Sequence, residues 1–173
     1  MRDVLAAFLF AAVLNGPAAA MTLTSADLAP GAAMPSRHVY PRCGGQNISP
    51  ALAWSRAPLG AKSFVLTMID RDVRPAGWSH WIVVDLPPTT TGLTSGVRVL
   101  PNGARGIDSN FGETTYDGPC PPKGSGRHHY EFSIWALPKE TFAIAPDAPA
   151  NDVTSALSKL ALDHASLIVT VDG

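Results

Sequence analysis

Proline and glycine interrupt this chain at short intervals, and that punctuation limits its fold more than any other feature. Sixteen Pro and fifteen Gly are spread over 173 residues. Neither tolerates the middle of a helix well: proline lacks the N–H and clashes with the preceding turn, and glycine costs backbone entropy. The stretches between them are short, apolar and rich in β-branched and aromatic side chains. Residues 63–69 (S-F-V-L-T-M-I) read as a strand buried on both faces, after the turn Pro58-Leu59-Gly60. Residues 80–86 (H-W-I-V-V-D-L) read as a second strand, stopped by Pro87-Pro88, and residues 130–137 and 167–171 as a third and fourth. Residues 22–50 are turn-rich, and 89–127 read as connecting loops with short strands. One stretch has helical spacing: Asn151 or Asp152 can cap it, and Val153, Leu157, Leu160 and Ala161 then share a face. The expected fold is all-β dominated, a β-sandwich-like domain of two packed sheets with one or two peripheral helices.

The first segment reads as an address rather than as part of that domain. Residues 4–14 are apolar, too short to span a bilayer, which takes roughly 20 residues. Asn15-Gly16-Pro17 and Ala18-Ala19-Ala20 follow, a helix break and a small-residue cleavage pattern. The expectation is a signal peptide over 1–20, a single domain over 21–173, and a periplasmic or secreted location without stable membrane insertion. A net charge of −1 argues against nucleic-acid binding through a basic field. In an oxidising compartment, Cys43 and Cys120 suit a single disulfide, with two buried free thiols as the alternative. Two cysteines are too few for a structural zinc site.

Polar chemistry collects at the ends of the predicted strands. Asp70-Arg71-Asp72 follows the first, where two carboxylates can line a pocket mouth or simply keep a turn soluble. His80 sits between Trp78 and Trp81 at the start of the second; burial there favours the neutral ring unless a carboxylate is near. Gly118-Pro119-Cys120-Pro121-Pro122-Lys123-Gly124 forms a stiff loop, a good pocket wall because a ligand need not order it. His128 and Tyr130 then share one face of the third strand, and His129 points away.

These segments, in this order and spacing, resemble the phosphatidylethanolamine-binding protein family, in particular its bacterial Raf-kinase-inhibitor-like branch. Asn47-Ile48-Ser49-Pro50, Leu52-Ala53-Trp54, Asn110-Phe111-Gly112 and Tyr116-Asp117-Gly118 support the likeness, which runs from about Thr22 to the C-terminus. The resemblance implies a small anion pocket for phosphate or phosphorylated head groups. Carried over by position, its lining is Asp70, Asp72, His80, Cys120, Pro121, Pro122, His128 and Tyr130. It also supports the Cys43–Cys120 disulfide. The family's Asp-Pro-Asp-Ala-Pro is replaced here by Asp70-Arg71-Asp72-Val73-Arg74-Pro75, which loosens the loop and adds two arginines beside it.

The function that follows is a non-enzymatic binding or regulatory module, possible partners being phosphate, a phosphorylated small molecule or lipid head group, or an enzyme inhibited through the same pocket. No cofactor, resident metal or catalytic residue is called for. In this scheme Asp70 orients and charges His80 or His128, and Tyr130 and loop N–H groups hold the oxygens. The alternatives are a phosphoester hydrolase using the same Asp/His set, with metal-activated water or acid/base catalysis, and a docking domain using the proline-rich rim.

Overall fold

The computed structural model describes residues 20–75 and 77–173. The expected signal peptide lies outside the described residues except for Ala20. Among the described residues, eight strands and one α-helix follow in the order β1 (Thr22–Thr24), β2 (Leu52–Ser55), β3 (Ser63–Asp70), β4 (Trp78–Leu86), β5 (Gly92–Leu93), β6 (Arg105–Gly106), β7 (Arg127–Leu137), α1 (Ala150–Leu160) and β8 (Asp163–Asp172). Two antiparallel sheets result: a small one ordered β1-β2-β5 and a large one ordered β6-β4-β3-β7-β8.

Why β3 is apolar throughout is now plain. Its even-numbered residues Phe64, Leu66 and Met68 face the small sheet and meet Leu23, Leu52 and Trp54. On the other face Val65 joins Ile82, Val84, Phe142 and the helix residues Val153 and Leu157 in a second core. The central strand is therefore sandwiched between a sheet and a helix, so alternation gives way to a continuous apolar run.

The helix begins two or three residues earlier than the expected capping residues suggest. Pro149 occupies the N-cap without a side-chain hydrogen bond, and Asp152 lies in the first turn, where a negative charge complements the helix dipole. Asn151 and Asp152 are thus inside the helix rather than capping it. Val153 and Leu157 are fully buried, while Leu160 and Ala161 pack at the edge of the second core.

The disulfide joins Cys43, at the end of the 3-10 turn Pro41–Cys43, to Cys120. The two Cα atoms are 5.5 Å apart, within the span a bridge requires. No described helix is long and apolar enough to cross a membrane.

Candidate functional site

One of the two irregularities in the β3–β4 ladder, the one between Met68 and Ile69, sets the site's geometry. Met68 faces Trp81 and Ile69 faces Ser79, so His80 is left without a partner. This extra residue is a β-bulge, which turns two consecutive side chains toward one face. Trp81 enters the inner core and packs edge-on against Tyr116, with ring centroids 5.6 Å apart. Its neighbour His80 lines a cavity of about 240 Å³ at the end of the large sheet. Regular pairing resumes beyond the bulge, with Asp70 between Trp78 on β4 and Tyr130 on β7.

Strand alternation on β7 then works as the spacing predicts. His128 and Tyr130 face the cavity, and His129 points outward. Asp70 and His128 form a buried pair, Nδ1 to Oδ2, at 2.7 Å. The other ring nitrogen of His128 lies 2.9 Å from Ser125 Oγ, which is also 2.6 Å from the Pro122 carbonyl oxygen. The Ser125 hydroxyl can donate to either one. It satisfies a neutral His128 by donating to the ring, and a protonated one by accepting from it. Burial, with the Asp70 charge second, pushes the Tyr130 phenol well above its ordinary value, so its O–H keeps its proton.

His80 is held differently. Its Nδ1–H donates to the Asp117 carbonyl at 2.8 Å. Among the described residues Nε2 has no protein partner. Burial pushes the ring's pKa down to about 4, despite opposing help from the Asp117 carbonyl and Asp70. The ring is neutral near pH 7 and offers Nε2 as an acceptor, so of the two rings expected to pair with Asp70, His80 is not the one. Asp70 bonds His128 instead. Because the folded-state value lies below the ordinary 6.5, the unfolded chain binds the extra proton first on acidification. Stability contributed by His80 is intact above about pH 6.5 and falls away toward about pH 4, an expected loss of about 3 kcal/mol. Urea titrations across this window should show a steeper acid decline in the native chain than in His80→Phe. Equal slopes would refute the assignment.

The loop carrying the Asp117 carbonyl is pinned from below. Asn47 accepts from the Gly118 N–H at 2.6 Å through Oδ1 and donates to the Tyr116 carbonyl at 3.3 Å through Nδ2. Gly118 passes so close to the His38 carbonyl and Tyr40 amide that a Cβ there would overlap backbone. Cys120, Pro121 and Pro122 continue as the stiff cavity wall.

Of the residues named from the sequence, Asp70, His80, Cys120, Pro121, Pro122, His128 and Tyr130 line this cavity, and Asp72 does not. Asp72 lies past the end of β3, where alternation no longer applies, and accepts from the His129 backbone N–H at 2.6 Å and from its ring at 3.0 Å. Burial pulls the Asp72 carboxyl up, but the His129 hydrogen bonds outweigh it and hold the group below its ordinary value. Arg71 also departs from expectation: it turns to Glu131, 3.3 Å away, on the opposite face of the sheet. Three further lining residues are Val73, Trp78 and Phe111. Phe111 is half exposed and stands edge-on to both Trp78 and His80, with centroids 5.6 and 5.1 Å away. The Asn110-Phe111-Gly112 turn was its signal: an aromatic on a polar turn with no core pattern around it.

Residues 24–172 match the family model of the phosphatidylethanolamine-binding proteins. The chain is 46% identical over 124 residues to YbhB of Escherichia coli K12, covering 68% of this chain and 78% of that protein. It is similar to the crystal structure of E. coli YbcL, with a TM-score of 0.83 at 34% identity, covering 90% of this chain and 99% of the other. LppC of Mycobacterium tuberculosis, which carries a provisional lipoprotein label, is 34% identical over 153 residues, 88% of this chain and 73% of that protein. The chain belongs to the phosphatidylethanolamine-binding protein family.

Proposed function

We propose that this chain is an exported, non-enzymatic binding module whose cavity takes an oxyanion that still carries a proton, such as phosphate monoanion or a phosphorylated head group. The observation that carries this reading is the neutral His80 ring, with Nδ1–H committed to Asp117 and Nε2 free to accept. A fully deprotonated anion offers that nitrogen nothing, whereas a P–O–H group donates to it. Tyr130 supplies an O–H donor, and Asp70 is already occupied by His128. The cavity is smaller than a typical drug-sized site, which suits a head group rather than a whole metabolite. Export is supported by the disulfide, by the lipoprotein label of LppC, and by the leader pattern of residues 1–20.

No observation favours the hydrolase reading. Cys120 is bridged, so the loop offers no thiolate. Asp72 bonds His129 and does not line the cavity that Asp70, His80 and His128 share, so the second carboxylate of that scheme is missing from it.

Titration calorimetry on the oxidised protein with phosphate, phosphoethanolamine and sulfate tests the proposal. The phosphate ligands should bind at about pH 6 and weaken roughly tenfold or more by about pH 8, as the second proton leaves them. Sulfate carries no proton in this range and should bind weakly, without that dependence, which separates the ligand's proton from any ring titration. Equal phosphate affinity at both pH values would overturn the proton requirement. Absence of heat with all three ligands would overturn the anion pocket itself.

A further inference from the structure

A larger cavity, of about 570 Å³, opens on the opposite face of the large sheet, between β3, β7, β8 and one side of α1. It is walled by alternate residues of the strands that supply the first site. Asp70 and Tyr130 face one cavity, while Arg71, Glu131 and Ser133 face the other. Three features of this second cavity point to the same ligand chemistry.

The first is the helix face. Asn151, Thr154, Ser155 and Ser158 recur at i, i+3, i+4 and i+7 and line the cavity together. All are uncharged, and all are poorer helix formers than the Lys, Glu or Ala usual on a solvent face. Four such residues in an eleven-residue helix work against its stability; Thr154 and Ser158 donate to the Ala150 and Thr154 carbonyls of their own helix and offer acceptors to the cavity, while Asn151 and Ser155 can both donate and accept. The second is a stacked ring pair. The Trp135 indole and His164 imidazole lie face to face at 4.5 Å with planes 14° apart, so each covers one face of the other and the exposed His164 ring presents the outer flat face, while the indole N–H is anchored to Thr67 Oγ1 at 3.2 Å. The third is the charge balance. Arg71 and Glu131 pair at the end of the cavity, so their charges cancel; Glu131 Oε2 faces Arg71 and Oε1 accepts from Ser133 at 3.1 Å, which leaves the exposed guanidinium as the forked edge open to a ligand.

We propose that this cavity is a second binding site, for a neutral saccharide. A sugar ring has an apolar C–H face that lies against a flat aromatic surface and a rim of hydroxyls that exchange hydrogen bonds with protein hydroxyls and amides. Adjacent ring hydroxyls match the forked edge of a guanidinium. An anion would meet Glu131, a cation would meet Arg71, and an acyl chain would desolvate the hydroxyl rows without return.

The test is nuclear magnetic resonance on the oxidised chain, following the Trp135 indole N–H and the His164 ring. The probes are cellobiose, N,N′-diacetylchitobiose and, separately, inorganic phosphate. At least one sugar should shift both signals saturably, and phosphate should leave them in place. Ser155→Lys puts a long charged side chain into the cavity from an exposed helical position, where lysine favours the helix, so the variant should fold. It should weaken sugar binding about tenfold or more, equivalent to about 1.4 kcal/mol. No saturable shift with either sugar, an undiminished shift in the variant, or shifts driven by phosphate instead would each overturn the proposal.

Discussion

Removing the Cys43–Cys120 bridge, by reduction or by Cys43→Ala with Cys120→Ala, is expected to cost about 4 kcal/mol of folding stability. The two residues are 77 positions apart, so the cross-link denies the unfolded chain a large loop's worth of conformations. In a domain of this size that corresponds to a melting temperature lower by about 10 °C. The fold should survive, because the Tyr40 amide still donates to the Pro119 carbonyl at 2.9 Å and Asn47 still pins Gly118. Phosphate affinity should fall as well, since Cys120 is itself part of the cavity wall. Paired thermal melts of oxidised and reduced protein are the direct check. Coincident melting curves would show that the bridge contributes nothing to stability.

A second large effect is expected at Asp70. Asp70→Ala leaves the His128 Nδ1–H buried with no acceptor, and loss of one partner from a buried pair costs about 4 kcal/mol. Phosphate binding should disappear in the same variant, because His128 loses the group that orients it. The double variant Asp70→Ala with His128→Ala removes both halves and should recover part of the stability without recovering binding. Denaturant unfolding of the two singles and the double measures the coupling. Additive losses would mean that the pair is not a unit. If Asp70→Ala does not fold, Asp70→Asn keeps the shape and gives the same comparison.

The fold was legible in the sequence wherever burial or alternation ran for several residues. β3 announced its place between two layers by being apolar on both faces, and His128-His129-Tyr130 announced its alternation. Legibility failed where the contact is made by one or two residues. β5 and β6 are two residues each, too short for any period to register. β8 begins at Asp163, ahead of its apolar residues, because pairing with β7 continues to Ala136 whatever the side chains are. In the site, Asp72 looked equivalent to Asp70 because the two are spaced as strand neighbours, yet the strand ends between them. Trp78 and Trp81 marked His80 for burial, but which ring Asp70 would serve stayed open between His80 and His128. Only the structure separates a ring bonded to a carbonyl and stripped of water from one bonded to a carboxylate.

The unpaired residue in β4 also affects how freely the site can change. In an unbroken ladder, neighbours along a strand face opposite sides, and a pocket side chain is flanked in sequence by residues serving another layer. At the bulge, His80 and Trp81 face inward together, one toward the cavity and one into the packed interior. Position 80 can therefore exchange its uncharged ring for another uncharged group of similar size, at the expense of the Asp117 hydrogen bond, while the indole beside it keeps its seat. The length of the strand has no such latitude. Deleting His80 would leave Trp81 opposite Met68, Ser79 opposite Ile69 and Trp78 opposite Asp70, a continuous ladder without the extra side chain that the bulge turns toward the cavity. The site should thus tolerate substitution at this point far better than a change in spacing.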